Sequence, residues 1–195
     1  IDDRFAHKAI EKGADGLIPV AAGAGGHAGT TSPFALMQEI REWFDGPVAL
    51  SGSIAHGQSI LAAQAMGADF AYIGSAFIAT KEANAVQGYK ENIVEAKASD
   101  IVYSSLFTGV HGNYLRQSIV KAGMDPDNLP EGDISTMNFG SGGNTEAKAW
   151  KDIWGSGQGI GAVKEVQSVA DMVGRLEAEY RAAKARLDGA YRKGW

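Results

Sequence analysis

Leu17-Ile18-Pro19-Val20-Ala21 runs almost directly into Gly23-Ala24-Gly25-Gly26-His27-Ala28-Gly29. A short apolar run bounded by turn residues reads as a buried strand. Pro19 removes one ladder donor from it. The glycines that follow allow φ > 0 and let a ligand approach the backbone closely. The same pattern then recurs twice. Val48-Ala49-Leu50 ends in Ser51-Gly52-Ser53, and Phe70-Ala71-Tyr72-Ile73 ends in Gly74-Ser75.

Helical stretches separate these strands. Phe5, Ala6, Ala9 and Ile10 recur at helical spacing within residues 2–12, closed by Gly13. Ser32 is a good N-cap and Pro33 suits the first helical position; Phe34, Met37, Ile40 and Phe44 then form an apolar stripe. Ile60, Leu61 and Ala65 mark a third helix, closed by Gly67. Helix and strand alternating with short connections imply a parallel sheet with helices outside it. All three strands end in Gly or Ser, at the end where a (β/α)8 barrel carries its function.

Beyond residue 80 the pattern loosens. Residues 89–97 read as helix, residues 101–103 as extended, and residues 113–122 as helix again. From Met124 to Thr145 the chain is rich in Pro, Gly, Asp and Asn and reads as a long surface loop. Gly155-Ser156-Gly157-Gln158-Gly159-Ile160-Gly161 is a further glycine-rich stretch. Residues 168–186 read as an amphipathic helix with Val169, Met172, Val173, Leu176 and Tyr180 on its apolar side.

Composition narrows the function classes. The chain has no cysteine, which excludes disulfides, zinc-thiolate sites and a thiol nucleophile. That fits a reducing cytoplasm, the expected location. The formal net charge of −5 argues against nucleic acid, whose binding depends on clustered Lys and Arg. No apolar run approaches the roughly 20 residues that span a bilayer, so no membrane partner is expected. His27, His56 and His111 form no recognised ligand motif, and no metal is expected.

His27 lies between Gly26 and Ala28 in a loop rather than on an apolar face. Imidazole changes charge near neutral pH and suits proton transfer, though on spacing alone a solvent-facing loop histidine explains it equally well. His56 opens a helix and reads as solvent-facing. His111, in Gly109-Val110-His111-Gly112-Asn113-Tyr114, is a candidate for a substrate pocket together with Tyr114, since loops carry function.

These residues carry a family likeness. Ala24-Gly25-Gly26-His27-Ala28-Gly29 resembles the A-G-G-H-x-G motif of nitronate monooxygenases, the 2-nitropropane dioxygenase family. Ser51-Gly52-Ser53-Ile54-Ala55-His56-Gly57 resembles their S-G-G-I-A-x-G loop, and Gly67-Ala68-Asp69 through Ala83 resembles their G-A-D…G-T-R-F…T-x-E-A segment. Gly155 to Gly161 is similar to a later G-Q-G stretch. FMN-dependent enoyl-acyl-carrier-protein reductases share much of this. The resemblance implies a (β/α)8 TIM barrel that binds FMN, of which this chain supplies the last three strands. Residues 1–83 would be the C-terminal part of the barrel, residues 84–165 a helical and loop insertion over the site, and residues 166–195 a C-terminal helix. The sequence would then be part of a longer protein that carries the N-terminal barrel half, or the open edge would pair with a second copy.

The same resemblance implies the roles. His27 would be the catalytic base. Gly25 and Gly26 would lie beside the flavin, and Gly52, Ser53, Gly74 and Ser75 would donate backbone amides to its phosphate. Gln158 would approach the flavin region. Ser53 stands where the family has a second glycine; if the site needs φ > 0, serine costs of order 1 kcal/mol. The expected reaction is oxidation of an alkyl nitronate or nitroalkane with O₂ to a carbonyl compound and nitrite. The alternatives are an FMN-dependent NAD(P)H reductase acting on quinones or enoyl thioesters, and a non-catalytic fragment.

Overall fold

The computed structural model describes residues 1–132 and 152–192. The elements in order are α1 (Asp3–Glu11), β1 (Gly26–His27), α2 (Pro33–Arg41), β2 (Ala49–Ser51), α3 (Gly57–Ala65), β3 (Phe70–Tyr72), α4 (Ser75–Ile78), α5 (Gln87–Glu95), β4 (Ile101–Ser104), β5 (Gly112–Leu115), α6 (Arg116–Lys121) and α7 (Val169–Arg192). The chain is α/β. Most of the expected loop from Met124 to Thr145 lies outside the described residues.

The parallel strands expected from the sequence are present. β2 and β3 pair in parallel, Ala49 opposite Phe70 and Ser51 opposite Tyr72. Residues 17–20 flank β2 on its other side, with parallel bridges from Leu17 to Val48 and from Val20 to Ser51. Their ladder alternates: Leu17 N–H donates to Pro47, Ala49 to Leu17, Ser51 to Pro19 and Ala21 to Ser51. Pro19 stands where an N–H should point at β2, so one rung is missing and the segment forms isolated bridges rather than a continuous strand.

The helices cover one face of this sheet. Asp2 caps α1 by accepting from the Phe5 amide at 2.8 Å. Ser32 caps α2, and Pro33 fills its first turn. Leu36, Met37 and Ile40 of α2 bury completely against Val48, Leu50 and Leu17. Phe34, assigned to this stripe from its spacing, is 63% exposed; the buried face runs through Leu36 instead. In α7 likewise Met172 and Leu176 are buried while Val173 faces outward. On the sheet face turned away from the helices, Ile18, Phe70 and Tyr72 are 53%, 65% and 54% exposed.

Of a second sheet the sequence showed only one strand, the extended residues 101–103. β4 and β5 form an antiparallel pair, Ile101 opposite Leu115 and Ser104 opposite Gly112. β1 adds to the other edge of β5, with Gly26 opposite Asn113 and His27 opposite Gly112. Residues 113–122 therefore begin as strand, and only Arg116–Lys121 is helical. His27 correspondingly sits on a short strand rather than in an open loop. Extended backbone there is held by pairing across some 85 residues, which local periodicity does not report.

Candidate functional site

The three parallel strand ends meet at one depression. Gly23, Gly25, Ser51, Gly52, Ser53, Gly74 and Ser75 line it, with Tyr72 and the 3-10 turn Gln158–Ala162 closing the sides. Its cavity volume is only about 30 Å³, and it opens to solvent. That is far below the roughly 300–1,000 Å³ of complete small-molecule sites, so the depression is a shallow recess with room for one small group of a ligand.

Backbone conformation shapes this cradle. Gly52 has φ +135° and Gly23 φ +81°. Ser53 has φ +57°, the only non-glycine residue with positive φ among the described residues. The second-glycine position thus does need the left-handed region, and serine occupies it under strain. Its amide donates to the Gly23 carbonyl at 3.3 Å, so it braces the neighbouring loop as well as facing the cradle. A Cβ on Gly74 would meet nothing within 4 Å, so the cradle has open space over that backbone. A Cβ on Gly25 would come within 2.9 Å of the Ser75 hydroxyl and 2.8 Å of the Gly157 nitrogen.

Cross-braces hold the loops together. The Gly157 amide donates to the Ser75 hydroxyl at 2.8 Å, and the Gln158 amide to the Gly23 carbonyl at 2.9 Å. Gln158 is thereby fixed through its backbone, while its side chain is exposed. The buried Asn113 amide donates to the Ala24 carbonyl at 2.7 Å, and its backbone carbonyl accepts from Ser156. The Ser156 hydroxyl, beside these braces, is buried with no hydrogen-bond partner among the described residues. Thr108, Asn113, Gly157 and Gly159 were passed over in the sequence. The G-Q-G spacing held the signal for the glycines; nothing local marks Asn113.

β1 carries the chain from the cradle to His27. His27 is exposed, and its Nε2 lies 2.7 Å from the Thr108 hydroxyl, which donates to the Val110 carbonyl at 2.9 Å. His111 is exposed next to this strand and stacks on Tyr103 at 4.9 Å; Tyr103 in turn donates to the Ala28 carbonyl. Tyr114 is fully buried and packs edge-on against Phe107 at 4.9 Å. Burial pushes its phenol above the ordinary value. The structure thus sets His27 beside His111 on the hairpin surface and puts Tyr114 in the core beneath. Gly26 has φ +69° and links the two regions without lining the depression.

His56 is more than a solvent-facing residue. Its Nδ1 accepts from the Gln58 amide at 3.1 Å and caps α3, while its Nε2 meets Glu179 of α7 at 3.3 Å. Glu179 also accepts from the Gly57 amide at 2.8 Å. A carboxylate of the chain itself therefore occupies the start of α3, where a bound anion would otherwise be favoured. Among the described residues, no group of three or more His, Asp or Glu could hold a metal ion, and no helix is long and apolar enough to cross a membrane.

Residues 4–179 match the family model for nitronate monooxygenase. A nitronate monooxygenase of Paraburkholderia phytofirmans is 27% identical over 191 residues, covering 90% of this chain and 51% of the relative. A probable nitronate monooxygenase of Staphylococcus haemolyticus is 25% identical over 174 residues, covering 81% and 48%. The chain thus spans about half the length of these curated relatives. Among solved structures, nitroalkane oxidase from Streptomyces ansochromogenes superposes with a TM-score of 0.74 at 25% identity, over 95% of this chain and 57% of that one. FabK from Thermotoga maritima gives 0.72 at 23% identity, over 97% and 61%, a likeness of fold alone. These structural neighbours are TIM-barrel enzymes.

Proposed function

The chain belongs to the nitronate monooxygenase family, and on that premise we propose that it forms the phosphate-binding and proton-transfer part of an FMN-dependent enzyme oxidising alkyl nitronates or nitroalkanes with O₂. The observation that carries this is the convergence of three parallel strand ends on one glycine-lined cradle. The open space over Gly74 suits a ligand phosphate better than a packed turn.

Parallel sheets are normally covered on both faces. The exposed Ile18, Phe70 and Tyr72 support reading residues 1–83 as the last three strands of a (β/α)8 barrel, whose other strands would cover that face. Of the expected covering segment 84–165, the described residues 84–132 and 152–165 would then cover the site.

When bound, FMN supplies the redox chemistry between substrate and O₂, yielding a carbonyl compound and nitrite. The chain's own part is positional and protonic. Backbone at Gly52, Gly74 and Ser75 would hold the phosphate, and Gly25 would lie beside the rest of the cofactor. His27 takes the α-proton from a neutral nitroalkane and, as imidazolium, steadies an anionic nitronate. His111 borders the substrate beside it, and buried Tyr114 supports the hairpin from below.

Purified chain mixed with FMN should show a perturbed flavin spectrum and release nitrite from a nitronate under air. A chain that leaves the FMN spectrum unchanged and makes no nitrite would sink the proposal. Rapid anaerobic bleaching of the flavin by NADH or NADPH, without nitrite release, would replace it with a reductase.

A further inference from the structure

α7 holds the loop that leads from the cradle into α3. The Glu179 carboxylate meets three donors: the Gly57 amide at 2.8 Å, Arg175 at 2.6 Å and His56 Nε2 at 3.3 Å. Arg175 also reaches the Ala55 carbonyl at 3.4 Å. The Glu179 side chain is only 20% exposed. Hydrogen bonds to a charged group are shorter and stronger than neutral ones. The two helices leave no slack here, since a Cβ on Gly57 would overlap backbone atoms of Leu176, Glu179 and Tyr180.

The other end of α7 reaches the second cradle loop. The Val169 amide donates to both oxygens of Glu82, at 3.1 and 2.9 Å, and the Lys81 amide donates to the Gln167 carbonyl at 2.9 Å. Glu82 and Lys81 follow α4, which starts at Ser75 of the cradle. One helix therefore ties down the chain leaving both loops. None of its residues lines the cradle itself.

Ser53 gives this clamp a purpose. A residue in the left-handed region persists only where its surroundings over-determine it. Ser53 lies between β2, fixed by the sheet, and Gly57, fixed by Glu179. We propose that Glu179 is a positioning residue for the phosphate cradle, holding residues 52–57 through Gly57, His56 and Arg175 without touching the ligand. The proposal rests on reading the cradle as an anion site.

The test uses the ¹⁵N-labelled 195-residue chain and two variants. Glu179→Gln keeps an acceptor for the Gly57 amide but loses the charge. His56→Asn keeps a good helix cap but is too short to reach Glu179. Inorganic phosphate is titrated while the Gly52, Gly74 and Ser75 amides are followed, and amide hydrogen exchange over residues 51–57 is measured without ligand. Each variant should weaken phosphate binding by about fivefold or more, a loss of about 1 kcal/mol. Exchange in residues 51–57 should quicken while β2 and α7 stay protected. Phosphate affinity within twofold of the parent chain in both variants would overturn the proposal. So would exchange that quickens equally throughout α3 and α7, because Glu179 would then be a packing contact only. A parent chain whose cradle amides respond to neither phosphate nor FMN would instead overturn the reading of the cradle, whatever the variants do.

Discussion

The imidazole of His27 and the hydroxyl of Thr108 lie 2.7 Å apart, though 81 residues separate them. The Thr108 hydroxyl donates a hydrogen bond to the Val110 carbonyl, so the ring is held by a hydroxyl that is itself oriented. On the proposed function, a proton-transfer group held this way depends on its holder. His27→Ala is expected to lower nitrite release from a nitroalkane by about 10² or more, the usual share of general-base catalysis. Thr108→Val, nearly the same shape, should cost about tenfold in kcat with little change in KM, since misorientation slows transfer more than binding. Steady-state kinetics on the FMN-supplemented chain decide this. Equal turnover in His27→Ala would remove the residue from the chemistry.

Ser53 holds φ +57° where glycine would be unstrained. Ser53→Gly is expected to raise stability by up to about 1 kcal/mol, with glycine's extra freedom in the unfolded chain offsetting part of the relief. That corresponds to about 2–4 °C in the thermal midpoint for a chain of this size. A lowered midpoint would mean that the Ser53 side chain stabilises the cradle by more than its backbone costs.

Gly57 has no room for a methyl group, because the backbone of α7 lies against it. Gly57→Ala should therefore cost about 1–3 kcal/mol, the usual range for overpacking. Urea unfolding gives the loss. Limited proteolysis should show earlier cutting around residues 176–180 of α7 than in the parent chain.

Tyr89 titrates far from its ordinary value. Burial pushes its phenol from 10.0 up to about 12. Its hydroxyl donates to the Gly155 carbonyl, and its ring stacks on Trp154 at 5.0 Å. A raised value means that the folded state resists ionisation. The contribution is whole below pH 10 and is lost as pH rises through about 12. Urea midpoints should therefore fall between pH 10 and 12, and less steeply in Tyr89→Phe. Identical slopes in the two proteins would assign the alkaline loss elsewhere, with the buried Tyr114 the next candidate.

The parallel layer was legible because each of its strands carries its own signal: a short apolar run, then glycine. Ser32-Pro33 and Gly67 marked their helix ends for equally local reasons. Of the hairpin only the first strand was legible, in Ile101-Val102-Tyr103. Tyr114 is a strand residue because it faces Val102 across the hairpin, and no window shorter than the hairpin contains both sides. His27 was found by its glycine neighbours, but its partner Thr108 was not. Phe34 was misplaced because a stripe at helical spacing gives the period of a buried face and not its exact edge. Glu179 reads as one more charge on an amphipathic helix, and only the fold brings it to Gly57, 122 residues away.

That separation also has a consequence in time. A ribosome adds about 5–20 residues per second, so some 6 to 24 s pass between the emergence of Gly57 and of the carboxylate that meets its amide. During that interval the strands and the glycine turns can form, but the loop between Gly52 and Gly57 lacks its brace. The cradle is therefore among the last parts of the nascent chain to reach its final shape, although most of its residues are made early.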